Sequence, residues 1–389
     1  MRDRIDRTGA RLIGRPTMVA MILLVGFGCG QEGPADEVET VTSALNVGSM
    51  SQLAAMGTTD SYVLTANLNA SGTTWTPKTF SGTFDGGNHT ISNLTIDVSN
   101  GFNAGFFTTM LNATVKRVRF INLKVTAHNG AFVGGLAGWE DSSLIEDVGV
   151  EVTVTANGAS TAGGIVGEMF GGTINRSYAK GAVNSSTLYA GGLVGAADVS
   201  NGNGATINQS YGAVTVAPTT SGSVVFAGGI LGWGLGASIT EVYAVGNVTG
   251  RASVGGLVGQ MDCSDANNFI FNHGIYRGNV TDMNRAPPAG WAGVIGAASN
   301  CFGRFDQFWW DKTLDTSTAW FISPWVDPSF PIQSGATTSD LKLPVNPNPG
   351  SGVYHWADNN LDPSIWDAGT NQQHHALVGM PGGLSIQPR

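Results

Sequence analysis

Aliphatic pairs bracketed by glycine recur along this chain and set its period. They read Gly134-Gly-Leu-Ala-Gly138, Gly163-Gly-Ile-Val-Gly167, Gly191-Gly-Leu-Val-Gly195, Gly228-Gly-Ile-Leu-Gly232 and Gly255-Gly-Leu-Val-Gly259, with a weaker Ala292-Gly-Val-Ile-Gly296. Aligned on the last glycine (Gly138, Gly167, Gly195, Gly232, Gly259 and Gly296), the steps are 29, 28, 37, 27 and 37 residues. A degenerate copy, Ala104-Gly-Phe-Phe-Thr108, stands 30 residues before Gly138. Short steps with two longer insertions are the mark of a repeat whose loops vary.

A second pattern follows each anchor glycine. Ile174-Asn-Arg-Ser-Tyr178 matches Ile207-Asn-Gln-Ser-Tyr211 and Ile239-Thr-Glu-Val-Tyr243, and looser versions start at Val115 and Ile145. A Gly-x-Val step such as Gly181-Ala-Val183 or Gly246-Asn-Val248 closes the unit. Each unit therefore reads as two or three short strands, with no 3.6-residue period. The unit is too short for a propeller blade of about 40–45 residues, but it suits one coil of a solenoid. The prediction is an all-β, parallel, right-handed β-helix of about seven coils with N- and C-terminal caps. Leu, Ile or Val of each anchor points inward, and glycine serves the corners, where a Cβ resists the required φ.

Composition agrees with this picture. Glycine accounts for 56 of 389 residues and charged residues for only 12%, while 42% are hydrophobic. That is too apolar for a disordered chain and suits β-structure with many tight turns. A net charge of −9 leaves no basic stripe for phosphates, which argues against a nucleic-acid partner.

The N-terminus sets an address. Arg2, Arg4, Arg7, Arg11 and Arg15 precede an apolar run from about Met18 to Phe27 that ends at Gly28-Cys29. A basic head, a short apolar core and a small-residue exit form a secretory signal. Gly26-Phe27-Gly28-Cys29 resembles a bacterial lipobox, although Gly26 stands where leucine is usual and Phe27 is bulky. The resemblance implies acylation of Cys29 and an outer-membrane or cell-surface lipoprotein. If the lipobox is unused, the protein is simply secreted. The expected division is a signal peptide over 1–29, a tether over 30–46, an N-terminal cap with the first coils over 47–103, the repeat solenoid over 104–301, and an aromatic-rich cap over 302–389.

These motifs resemble the GLUG-repeat family, whose units carry GGLVG followed by Ile-x-x-Ser-Tyr-x-Gly-x-Val. The match is strong from about Ala104 to Val280 and looser on both sides. It departs at Gly105–Thr108 and at Trp291–Gly296. The resemblance implies a secreted or surface β-solenoid of adhesin-like character, and it says little about activity.

The chain offers little recognisable chemistry. It has no HExxH, no Gly-x-Ser-x-Gly elbow and no Walker loop, and His374-His375 are adjacent, so they point apart on a strand. No metal and no cofactor are expected. A polysaccharide lyase or glycosidase needs two carboxylates on one face. Glu146-Asp147 and Glu241 come nearest, yet Asn175-Arg176 and Asn208-Gln209 occupy the matching positions between them. Asp85 reads as a turn residue.

Tyr178, Tyr211 and Tyr243 hold equivalent positions, with Tyr276 close to the same register. Facing in, they are core packing. Facing out, they form a ladder for ligand stacking. Trp139 and Trp233 each follow an anchor glycine, but Glu168, Ala196 and Gln260 hold that position elsewhere, so no continuous aromatic strip results. Six of the ten tryptophans lie beyond residue 302, either as cap packing or as a carbohydrate platform.

Cys263 and Cys301 fall four and five residues after successive anchors, one rung apart. Once Cys29 is lipidated or removed they are the remaining pair, and they are expected to form a disulfide, with two buried thiols as the alternative. The combined reading is a non-catalytic surface or secreted repeat protein for adhesion or surface interaction. Its partners are the membrane through Cys29 and surface glycans or other surface proteins. The runner-up is a carbohydrate-binding or polysaccharide-degrading β-helix.

Overall fold

The structure, a computed structural model, describes residues 43–310 with interruptions at 100–102, 130–131, 159–160, 187, 220–225, 265–269, 284–291, 300 and 302–304. Beyond these it describes only the strands Ala319–Phe321, Trp366–Asp367 and Ala376–Leu377. Cys29, the expected signal and the tether up to residue 42 lie outside the described residues, as do His374, His375 and most of 302–389.

The chain is a parallel β-solenoid of about six turns, with almost no helix among the described residues. Among the described residues its strands form one 17-stranded and one 14-stranded sheet, with a separate two-stranded pair, Trp366–Asp367 and Ala376–Leu377, and a short helix, Met50–Ala54, stands near the start. We call the 14-stranded one the anchor sheet. Its rungs run Gly134, Gly163, Gly191, Gly228, Gly255 and Ala292, each paired with the next. The expected seventh rung is incomplete. Its degenerate copy supplies only the strand Phe107–Leu111 and a single bridge from Ala104 to Val133. There Phe106 stacks on Trp75 at 4.6 Å and Phe107 on Phe80 at 4.7 Å, filling that end of the core with rings.

The inner columns follow the repeat. Leu136, Ile165, Leu193, Ile230, Leu257 and Val294 are fully buried, as are Ile145, Ile174, Ile207 and Ile239 opposite them. Burying a Leu or Ile side chain contributes about 1.5–3 kcal/mol, so this stack is the main source of cohesion.

The reason for the anchor glycines differs from the corner role expected of them. None of the six has φ in the left-handed region. A Cβ on Gly167, Gly195, Gly232, Gly259 or Gly296 would lie 2.4–2.6 Å from the carbonyl oxygen of the anchor glycine one coil earlier. Gly138 is as tightly held, with Asn103 Cβ and Ala104 N at 2.6 and 2.7 Å. Glycine is required here by backbone crowding. One column of left-handed corners is made of ordinary residues, Arg117, Asp147, Arg176, Gln209, Glu241 and His273, with φ between 44° and 54°, while glycine does take left-handed corners elsewhere, at Gly171, Gly172 and Gly236. Such a conformation costs a non-glycine residue about 1 kcal/mol.

A serine offsets that cost in part of the column. Ser177 Oγ donates to Asn175 O at 2.8 Å and accepts the Val148 N–H at 3.1 Å, and Ser210 Oγ donates to Asn208 O and accepts the Ser177 N–H. The serine of the Ile-x-x-Ser-Tyr motif thus closes its own corner and ties it to the coil before.

Cys263 and Cys301 are joined, with Cα atoms 4.9 Å apart and a separation of 38 positions in sequence. Asp262 pairs with Ser299 on the adjoining rung, which brings the two cysteines together.

Candidate functional site

Of the carboxylates singled out above, Asp85, Glu146 and Asp147 are engaged by arginines on or beside the corner column. Arg176 grips Asp147 through Nε and a terminal nitrogen, both at 2.8 Å, and reaches Glu146 Oε1 at 3.0 Å. Asp85 accepts the Gly87 N–H at 2.9 Å, as a turn residue should, and also pairs with Arg117. Burial pushes the Asp85 carboxyl up, but Arg117 and the Gly87 amide outweigh it together and hold it below its ordinary value. Glu241 lies three rungs beyond Asp147, with Arg176 and Gln209 between, and its buried Oε2 has no hydrogen-bond partner. These carboxylates do not converge as an acid–base pair.

The tyrosines pack; they do not offer a stacking surface. Tyr178, Tyr211 and Tyr243 are in register, each 2% exposed. Tyr178 and Tyr211 stack at 5.0 Å with planes 6° apart, and Tyr178 Oη accepts from Arg119 Nε at 3.1 Å. Arg119 also faces Glu151 at 3.4 Å. Burial raises both phenols. Tyr276 leaves the series, because Tyr243 pairs with Ile275 and Tyr276 pairs with Ala244. It joins the inner column instead, fully buried, and its hydroxyl donates to Gly246 O at 3.0 Å.

The rings that remain accessible lie on the outer face of the anchor sheet. Successive strand residues point to opposite faces. In Ala137–Asp141, Trp139 and Asp141 therefore look outward while Glu140 is buried inside. One outer column runs Trp139, Glu168, Ala196, Trp233 and Gln260. A second runs Phe132, Thr161, Tyr189 and Phe226 beside it. A third places Phe170 between Asp141 and Asp198. The columns interlock: Tyr189 stacks on Trp233 at 5.4 Å and touches Phe226 at 5.5 Å, while Trp139 packs on Phe170 at 5.7 Å. All five rings stay half-buried. The column through Trp139 and Trp233 alone looked discontinuous in sequence. The missing rings come from the position two residues before each Gly-Gly pair, and that fixed offset was the available signal.

Glu168 sits between the two ring clusters. It makes no hydrogen bond and no ion pair among the described residues, whereas Asp198 accepts the Val199 N–H and Asp141 accepts the Ser142 and Ser200 hydroxyls. Burial, aided by the charge of Asp198, raises Glu168 to about 7. Tyr189 is raised by burial and by Glu168. On the reverse side, Glu140 stands between Met110 and Met169, accepts the Ser143 N–H, and leaves Oε2 unpartnered. Burial drives that carboxyl far above the usual range.

The chain matches no known family profile. It is 35% identical to halomucin of Haloquadratum walsbyi over a stretch that covers 40% of this chain, and it spans only 2% of the length of that protein. A crystal structure of a Bacteroides ovatus protein, provisionally named an immunoglobulin A1 protease, covers 72% of this chain and 85% of its own, with a TM-score of 0.44 and 16% identity.

Proposed function

We propose that this protein is an exported, non-catalytic rod that presents the outer face of its anchor sheet to other surface components, in the manner of an adhesin. The observation that carries this reading is the set of interlocked, half-buried rings, Trp139, Phe170, Tyr189, Phe226 and Trp233, on the outer face of the anchor sheet. Interlocked aromatic groups with polar neighbours are typical of contact surfaces. The stretch shared with halomucin supports a place at the cell surface or outside the cell. The lipid anchor at Cys29 and membership of the GLUG-repeat family belong to the same proposal, on the strength of the motifs alone.

A solenoid suits such work, because its stacked coils present like positions in continuous columns along one face. The test is adhesion of beads coated with the protein to cells or to immobilised envelope glycans. Trp139→Ala with Trp233→Ala should abolish retention while leaving the β-sheet spectrum unchanged. Retention equal to the parent would remove this face from the proposal, and release of saccharide fragments would replace it with the enzymatic reading.

A further inference from the structure

Nine stretches of this chain read Asn-x-Ser or Asn-x-Thr with x other than proline. In an exported protein that tripeptide can accept N-linked sugar where the fold leaves it at the surface. Two groups must be within reach of a transferase: the asparagine amide nitrogen, which bonds to the sugar, and the hydroxyl two residues on, which is read. The structure sorts the nine by the state of these groups.

Four are committed to the fold. In Asn175-Arg-Ser177 and Asn208-Gln-Ser210 both serines are fully buried and close their corners. The two asparagine nitrogens donate to Glu146 Oε1 and to Asn175 Oδ1, each at 3.2 Å. In Asn93-Leu-Thr95 the nitrogen donates to Asn69 Oδ1 at 3.0 Å. In Asn184-Ser-Ser186 the asparagine is half-buried, and the Ser186 hydroxyl accepts the Gly158 N–H and donates to Ala156 O.

The other five stand clear. Asn69, Asn88, Asn112, Asn247 and Asn279 are all exposed. Asn69 ends a strand, and the remaining four occupy turns between consecutive strands. Asn88 and Asn112 take left-handed φ of 64° and 49°, and Gly246 at 124° turns the chain just before Asn247. Where their side chains are engaged, the oxygen is used: Asn69 Oδ1 accepts the Ser71 N–H at 3.0 Å, and Asn247 Oδ1 accepts the Asn279 N–H at 3.2 Å. None of the five amide nitrogens donates a hydrogen bond among the described residues. The hydroxyls of Ser71, Thr90, Thr114, Thr249 and Thr281 are likewise unengaged there, and none of these residues is buried.

We propose that Asn69, Asn88, Asn112, Asn247 and Asn279 are acceptors of N-linked glycans. The amide nitrogen attacks the anomeric carbon of an oligosaccharide carried on a lipid pyrophosphate. The N–C bond forms as the C–O bond to phosphate breaks, the lipid pyrophosphate leaves, and the amide gives one proton to the transferase. In the cell this rests on the export proposed above, whereas acceptance of sugar by the folded chain does not.

The test is transfer in vitro. Full-length folded protein, made in a host without N-glycosylation, is incubated with a single-subunit oligosaccharyltransferase that reads only Asn-x-Ser/Thr and a lipid pyrophosphate-linked chitobiose donor. Peptide mass mapping should find sugar at the five positions, with at least tenfold lower occupancy at Asn175 and Asn208. Synthetic peptides spanning Asn175 and Asn208 should accept it freely, because the fold is what protects them. Thr114→Ala and Thr249→Ala keep the asparagine and its turn, and should abolish modification of Asn112 and Asn247. The protein recovered from its own cell envelope should carry sugar at the same positions. Equal modification of Asn175 and Asn208 in the folded chain, failure of the five where the peptides succeed, or bare asparagine at all five in the envelope protein would each overturn the inference. Recovery of the protein from the cytoplasm would overturn the export reading alone.

Discussion

The ring of Tyr178 occupies the space that a side chain on Gly149 would claim: a Cβ there would lie 2.5 Å from its Cε1 and Cζ. The two residues are paired across adjacent coils, and Gly149 has no left-handed φ, so room alone requires glycine. Gly149→Ala should therefore act by displacing Tyr178 from Arg119 and Tyr211, at an overpacking cost of about 1–3 kcal/mol. Gly163→Ala should cost more, because its Cβ would meet the backbone oxygen of Val166 at 2.0 Å, which cannot swing aside. Urea midpoints of the two variants rank them, and equal stabilities would contradict the space argument.

The disulfide closes the most irregular insertion, between Cys263 and Cys301. By chain entropy a loop of that length contributes about 4 kcal/mol, less any native strain. The double change Cys263→Ser with Cys301→Ser should lower the urea midpoint accordingly. Denatured but unreduced protein should release no thiol from this pair, and two reactive thiols would show that it is unbridged in solution.

Burial raises the carboxyls of Glu140 and Glu168 above their unfolded values. In that case the native state binds more protons than the unfolded state, so stability falls as pH rises. For Glu168 the loss runs from the unfolded range near 4.5 up to about 7 and then levels off. Glu140→Gln and Glu168→Gln should each flatten the decline relative to the parent between pH 5 and 8. A parent whose stability rises across that window, with unchanged slopes in both variants, would show these carboxyls to be ordinary.

Replacing Glu146, Asp147 or Glu241 by Ala should leave the fold intact and alter no polysaccharide-degrading activity. The first two lose a half-exposed contact to Arg176, which is worth within about 1 kcal/mol at such a site. Saccharide release that depends on any of the three would establish catalysis on the corner column.

Cys29→Ser should move the protein from the membrane fraction to the soluble one and abolish incorporation of labelled fatty acid. Unchanged membrane association would leave simple secretion as the route.

The sequence by itself determined the period, the stacking and much of the register of this protein. Parallel coils place like positions above one another, so the spacing of Gly138, Gly167 and Gly195 and the recurrence of Ile174 and Ile207 already specify which residues become neighbours. That logic also aligned Tyr178, Tyr211 and Tyr243 and brought Cys263 near Cys301. Only the tertiary structure decided how closely coils approach and what remains open. A repeat copies backbone positions, but burial depends on the volume of side chains one rung away and one column across. This is why the anchor glycines answer to a carbonyl oxygen of the preceding coil instead of a turn, and why Tyr276 slips one place into the interior. It is also why Glu168 stands unengaged between Trp139 and Ala196, its ladder neighbours on the coils before and after, whose side chains differ so much in size.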